Sequence, residues 1–270
     1  QGARVVSVPL VRDASTVGAA LRRDAVEPSR HKAAPAPEQP RAEYDFALDS
    51  AAVLAALTPD VKLVFLCSPN NPTGQLLDRD AILSLVRALA GRAVVVVDEA
   101  YLEFADAPSL ADALAAHPNL VVLRTLSKAH GLAGARVGAT LAAPALISVL
   151  QKIIAPYPVP TPVAQAALAA LTPAGLAATR ASVAALVGER RRLAAALPAL
   201  PCVRRVWPSD ANFLLVEVAD AARVMAAARA AGLVLRDRST DVPHTVRLTL
   251  GTPAENNLVL EVLSRRPDGL

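Results

Sequence analysis

Three short polar segments each follow an apolar run in this 270-residue chain. "CSPNNPTG", residues 67 to 74, follows "KLVFL"; "DEAY", residues 98 to 101, follows "AVVVV"; "TLSK", residues 125 to 128, follows "LVVLR". Open α/β sheets place ligands just beyond the carboxyl ends of their parallel strands. Taken singly, each segment has an ordinary structural reading: Asn-Pro-Thr-Gly makes turns, an acid after a strand caps a helix, and a lone lysine is solvated. Three such segments at three neighbouring strand ends form a constellation, and together they point to a site.

The residue types say what one pocket would do. Lys128 stands among small residues with no carboxylate beside it, which predicts partial desolvation and an amine free for Schiff-base chemistry. Asp98, leaving a buried strand, suits a cationic ring nitrogen, and Asn71 and Tyr101 suit a phenolic oxygen. Thr125, Ser127 and Arg136 offer two hydroxyls and a guanidinium for a phosphate. Aldehyde, pyridinium nitrogen, ring oxygen and phosphate are the four handles of pyridoxal 5'-phosphate. No His/Cys metal spacing is present, so no metal site is expected.

The series "SPNNPTG", "VVVDEAYLEF", "LRTLSKAHGLAGARVG" and "VRLTLGTPAEN" resembles the fold-type I pyridoxal-phosphate aminotransferases. With "IIAPYPVPTPVAQ" and "LVLRDRS" it looks most like their histidinol-phosphate branch, over about residues 1 to 265. The resemblance implies that Lys128 is the Schiff-base and proton-shuttling lysine, and that Asp98 pairs with the pyridinium. It likewise implies that Asn71 and Tyr101 hold the ring oxygen, with Thr125, Ser127 and Arg136 on the phosphate. Arg236 and Arg247 fall where the branch binds the substrate phosphate and the glutamate carboxylate in turn, and Asn212 orders a strand near the pocket mouth. The implied reaction transfers the amino group of L-histidinol phosphate to 2-oxoglutarate, giving imidazole acetol phosphate and glutamate, in histidine biosynthesis by a cytoplasmic homodimer. Threonine-phosphate decarboxylase and aromatic aminotransferases resemble the same pattern. His130 stands where the family pattern has an aromatic, and is expected as a packed neighbour. Family members carry a further segment ahead of the region matching "GARVVSVPL", so an N-terminally incomplete chain is expected, with an inactive fragment as the other reading.

The elements that must position these residues are readable from periodicity. "SAAVLAAL" and "DRDAILSLVRALA" predict helices, "KLVFL", "AVVVV" and "NLVVLR" predict strands, and "SLADALAAH" predicts a further helix. Apolar strands alternating with amphipathic helices predict an α/β domain with a mostly parallel sheet covered by helices on both faces. Helices are expected at "PALISVLQKII", "VAQAALAAL" and through "ERRRLAAAL". Strands "VRRVW", "NFLLVEV", "LVLR" and "TVRLTL", with helices at "ADAARVMAAARAAG" and after "GTPAEN", predict a smaller α+β domain. The expected division is a large domain over 1–155, a helical connection over 156–175 and a small domain over 176–270. "RVVSV" reads as a strand, and the proline-rich stretch 22–43 as a surface loop.

Composition narrows the classes. The chain is 53% hydrophobic and 3% aromatic, with a net charge of +4. Its 24 arginines are scattered over helix faces, and so few aromatics leave little for base stacking, which argues against nucleic acid. Apolar runs are too short to span a bilayer and no signal pattern is visible, so no membrane contact is expected. Cys67 and Cys202 are expected as free thiols.

Overall fold

The computed structural model describes residues 46–265. The expectations for "RVVSV" and the 22–43 loop lie outside the described residues.

The first sheet is built from apolar runs too short for anything but strands. β1 (Leu63–Cys67), β2 (Val94–Asp98) and β3 (Leu120–Thr125) run parallel, and β4 (Gly138–Ala142) closes the order β1-β2-β3-β4 antiparallel to β3. Helices α1 (Ser50–Ala56) and α2 (Arg79–Ala88) pack on one face. Asp49 and Asp78 start them by accepting the amides of Ala52 and Ala81, the usual way an N-cap carboxylate satisfies an orphan donor. Ile82, Leu85, Val86 and Leu89 of the α2 region meet Val64, Leu66, Val95, Val97, Leu120 and Val122, all buried. On the opposite face Val96 and Val121 are buried, but Leu63 is 55% and Phe65 67% exposed on β1. The cover on both faces that the apolar run predicts is therefore lacking on β1, which is the edge strand among the described residues. "SLADALAAH" forms a 3-10 helix (Leu110–Ala116) rather than an α-helix.

After β4 the chain turns helical: α3 (Pro144–Gln151), α4 (Thr161–Ala170) and the 24-residue α5 (Pro173–Ala196). Thr172 caps α5 by accepting the Gly175 amide, and Pro173 fills its first position, where no amide is needed. Among the described residues no single helix is long and apolar enough to cross a membrane.

The second sheet, order β5-β6-β8-β7, is antiparallel throughout: β5 (Val203–Val206), β6 (Phe213–Val218), β7 (Arg236–Asp237) and β8 (Thr245–Thr249). Strand side chains alternate between faces. Leu214, Val216, Val218, Val246 and Leu248 pack against Leu193 of α5, Val224 of α6 (Ala221–Ala230), and Val259 and Leu263 of α7 (Pro253–Ser264). The other face carries Phe213, Leu215 and Arg247. "LVLR" contributes only Arg236 to the two-residue β7, since Leu235 is turned into the helical core and Val234 is exposed. Cys67 and Cys202 are free thiols.

Candidate active site

The ends of β1, β2 and β3 converge as the register requires. Cys67 pairs with Asp98, Asp98 with Leu123, and the Ser68 amide donates to the Asp98 carbonyl at 3.0 Å. The Asp98 carboxylate accepts the Ala100 amide at 3.0 Å, which fixes the turn leading to Tyr101. Burial raises the Cys67 thiol pKa, the Asn71 backbone N–H opposes that shift, and the Asp98 charge adds to it.

The loop after β1 is tightly turned. The Ser68–Pro69 and Asn71–Pro72 peptide bonds are cis. Gly74 sits at φ +79°, and its amide donates to the Asn70 carbonyl at 2.7 Å. A Cβ there would collide with Ser209, so only glycine lets the loop meet the second sheet unit. The Asp210 amide donates to the Gly74 carbonyl at 2.6 Å, and the Asp210 carboxylate accepts the Leu76 amide at 3.3 Å.

Lys128 and Tyr101 face each other, with the Lys128 Nζ 5.4 Å from the centre of the ring. Tyr101, 7% exposed, meets Phe213 edge to face at 5.1 Å, a favoured aromatic geometry. Arg247 lies over the opposite partner, its guanidinium 4.9 Å from the Phe213 ring centre, and donates to Asn71 Oδ1 at 2.6 Å. Phe213 thus bridges the lysine wall and the arginine wall. Burial, first, and then the Arg238 and Arg236 charges hold the Arg247 guanidinium below the usual arginine value, while Tyr101 pulls the other way. Asn71, Tyr101, Lys128 and Arg247 therefore form one connected set.

The remaining expected residues are placed as follows. The Thr125 hydroxyl donates to Ser127 Oγ at 2.9 Å and accepts the Ser127 amide at 3.1 Å. Arg136 sits in the left-handed region, φ 55°, with its guanidinium donating to the Ala133 carbonyl at 2.9 Å. Arg236 lies directly across the strand pair from Arg247 and is exposed. Asn212 holds the strand end through its carbonyl, which accepts the Leu250 amide at 2.9 Å. His130 Nδ1 lies 3.2 Å from the Thr179 hydroxyl of α5, the packed neighbour expected of it. Lys128 itself is exposed, so the desolvation expected from its small neighbours is absent: glycines and alanines build no wall. Two clefts of about 410 Å³ lie nearby, one between Phe104 and α5 and one beside α2, and neither is lined by Lys128.

Sequence reasoning missed a buried ion network beneath the site. Glu99, 2% exposed, accepts from the Ser109 hydroxyl at 2.6 Å, the Leu110 amide at 2.7 Å and Arg124 at 3.1 Å. Arg124 also pairs with Glu103 at 2.6 Å. Glu99 follows Asp98 and Arg124 precedes Thr125, so the network ties the ends of β2 and β3 together. The acid directly after Asp98 in "DEAY" was the available signal. It also missed Phe213, for which an aromatic inside "NFLLVEV" read only as strand core.

The donor set fits pyridoxal phosphate: an amine beside a phenol, a carboxylate at the next strand end, an amide held by a cation, and a paired set of hydroxyls on the loop before the lysine.

A family model described as aminotransferase class I and II matches residues 31–263. The chain is 52% identical over 228 residues to a histidinol-phosphate aminotransferase of Stenotrophomonas maltophilia, covering 84% of this chain and 61% of that protein. The chain spans about 60% of the length of the curated relatives it matches. Among solved structures it is similar to histidinol-phosphate aminotransferase from Sinorhizobium meliloti in complex with pyridoxal-5'-phosphate, at 29% identity and TM-score 0.70, covering 80% of this chain and 60% of that one. It is also similar to L-threonine-O-3-phosphate decarboxylase from Porphyromonas gingivalis, at 25% identity and TM-score 0.69, covering 79% and 67%. The matched stretch contains all of the residues placed above, and the chain belongs to the class I and II aminotransferases.

Proposed function

We propose that the chain, with pyridoxal phosphate, transfers the amino group of L-histidinol phosphate to 2-oxoglutarate in histidine biosynthesis. The observation that carries this reading is the connected set of Lys128, Tyr101, Phe213, Arg247 and Asn71. It puts an amine, a phenol, an amide and a substrate-type guanidinium along one wall. The 52% identity to a histidinol-phosphate aminotransferase supports the choice of substrate within the family.

When bound, the cofactor supplies an aldehyde and an electron-withdrawing pyridinium ring. This chain's residues do the rest. Asp98 holds the proton on the ring nitrogen, and Asn71 and Tyr101 donate to the ring oxygen. Thr125, Ser127 and Arg136 take the cofactor phosphate, for which the Arg136 side chain must leave the Ala133 carbonyl. Lys128 Nζ would be the base that takes and returns the proton at substrate Cα. Arg247 and Arg236 bind the substrate phosphate and the glutamate carboxylate in turn, and Arg247 leaves Asn71 to do so. The first sheet unit is the large domain and the second the small one, with the site between them. We read the working form as a cytoplasmic homodimer. Exposed Ile153, Tyr157 and Leu168 along the α3–α4 stretch support a partner surface.

The test is the visible spectrum of the chain with pyridoxal phosphate, before and after L-histidinol phosphate is added. A protein-bound band, absent in Lys128→Ala, that disappears with the substrate and returns with 2-oxoglutarate supports the reading. A bound band indifferent to histidinol phosphate sinks the substrate assignment. Carbon dioxide released from threonine phosphate would then move the chain to the decarboxylases, and amino transfer from aromatic amino acids to the aromatic branch. No bound band at all sinks the enzyme reading.

A further inference from the structure

The edge of the second sheet carries more positive charge than one carboxylate requires. Arg236 of β7 stands opposite Arg247 of β8 in register. One step further along, the Arg238 amide donates to the Thr245 carbonyl at 2.9 Å, so the ladder continues past β7. Side chains two apart on a strand share a face, which puts Arg236, Arg238 and Arg247 on the same side. That side is the one carrying Phe213 and facing Tyr101 and Asn71.

The acids nearby do not balance three guanidinium groups. Asp241 Oδ2 lies 3.1 Å from Arg238 Nε, an ion pair without hydrogen-bond alignment. Glu217 shares the face on β6, opposite Thr245. Asp237 falls on the alternate face and accepts the Ser239 amide at 2.8 Å. Two buried guanidinium nitrogens in this corner, Arg238 Nε and Arg247 Nε, have no hydrogen-bond partner. Buried donors normally find an acceptor. Like charges gathered on one face repel unless an anion sits among them: burial first lowers the Arg247 pKa, and the Arg238 and Arg236 charges add to that.

A carboxylate carries one negative charge and two oxygens, which a single bidentate arginine satisfies. A phosphomonoester carries close to two charges and three acceptor oxygens. We infer that Arg238 is a third anion-binding side chain of the substrate site, and that with Arg236 and Arg247 it selects a phosphomonoester over a carboxylate. This rests on the reading of Arg236 and Arg247 as substrate-binding residues. Arg238 differs from them in being held back by Asp241, so its contribution is set by that acid.

The experiment compares the cofactor-loaded chain with Arg238→Gln and Asp241→Asn, using inorganic phosphate as the calorimetric probe. Arg238→Gln should weaken phosphate binding about tenfold and raise the KM for L-histidinol phosphate by about the same factor, with the KM for glutamate changed less than about twofold. Asp241→Asn, which frees Arg238, should tighten phosphate about two- to threefold. Equal rises in both KM values, or phosphate affinity unmoved by Arg238→Gln, would overturn the inference. If Arg238→Gln does not fold, Asp241→Asn decides, and unchanged phosphate affinity in it overturns the inference too. Wild-type chain that binds phosphate through Arg238 but turns over no histidinol phosphate leaves the anion site standing and removes the aminotransferase assignment instead. Turnover with phosphate binding indifferent to both substitutions does the reverse.

Discussion

Arg247 donates to Asn71 at 2.6 Å across 176 residues of sequence, so a strand of the second sheet is anchored on the loop after β1. Arginine has donors only, so the contact fixes the Asn71 carbonyl oxygen toward Arg247 and leaves the amide nitrogen for a ring oxygen. Asn71→Ala should lower unfolding free energy by about 1 kcal/mol, read from a urea midpoint, because one partner of a partly exposed charged hydrogen bond is lost. The same variant should weaken pyridoxal phosphate binding. Unchanged cofactor affinity would remove Asn71 from the ring-oxygen role.

Among the described residues the Lys128 side chain has no hydrogen bond that its replacement would strand, and it is exposed. Lys128→Ala should therefore melt within about 2 °C of the parent chain. Its turnover should fall by about a thousandfold or more, since Lys128 is the proposed proton carrier. A large loss of melting temperature would show that the lysine is structural.

Gly74 meets Ser209 where no Cβ fits, at a φ that side chains rarely adopt. Gly74→Ala should cost about 2 kcal/mol. The damage should concentrate at the Asp210 and Leu76 contacts, visible as faster amide exchange there than in β2. Slowed or unaltered exchange at those amides would mean that the loop accommodates the methyl group.

Glu189 accepts from Arg192 at 2.6 and 2.9 Å and from Asn256 at 2.7 Å, joining α5 to α7. These bonds, Arg192 first, lower its pKa from 4.5 to about 2. A carboxylate held lower in the folded state stabilises above its unfolded value and loses that stabilisation as pH falls through the folded one. The chain should therefore lose stability between about pH 4.5 and 2 through this group. Glu189→Gln should flatten that part of a melting-temperature profile, and an identical profile would show that the interaction is absent in solution.

The strands that end in Cys67, Asp98 and Thr125 were legible because four or five consecutive apolar residues between polar segments have few other solutions. β4 was not. "GATLA" has neither the apolar density nor the alternation of a core strand, and it forms because β3 offers a free edge and Gly138 lets the backbones approach. "SLADALAAH" has helical periodicity, yet the Ser109 cap and its neighbour Leu110 are drawn to buried Glu99, and the segment winds as a 3-10 helix. In the candidate site, residue types at strand ends were readable one segment at a time. Which residues touch was not, because Arg247 and Asp210 reach the loop after β1, and Phe213 reaches Tyr101, only through tertiary packing. The exposure of Lys128 was likewise invisible, since neighbours small enough to admit a ligand are also too small to exclude water.

Arg190 of α5 donates both to the Phe104 carbonyl at 3.1 Å, on the first sheet unit, and to the Ala211 carbonyl at 2.8 Å, on the second. A helix pinned at that point is a lever. Thr179 lies eleven residues away, about 17 Å at the α-helical rise. A tilt of about 10° around Arg190 would carry Thr179 some 3 Å, as far as its whole separation from His130, by the same helical geometry. His130 is two residues from Lys128. Movement between the two sheet units would thus act on the Thr179–His130 contact, beside the loop that carries the amine.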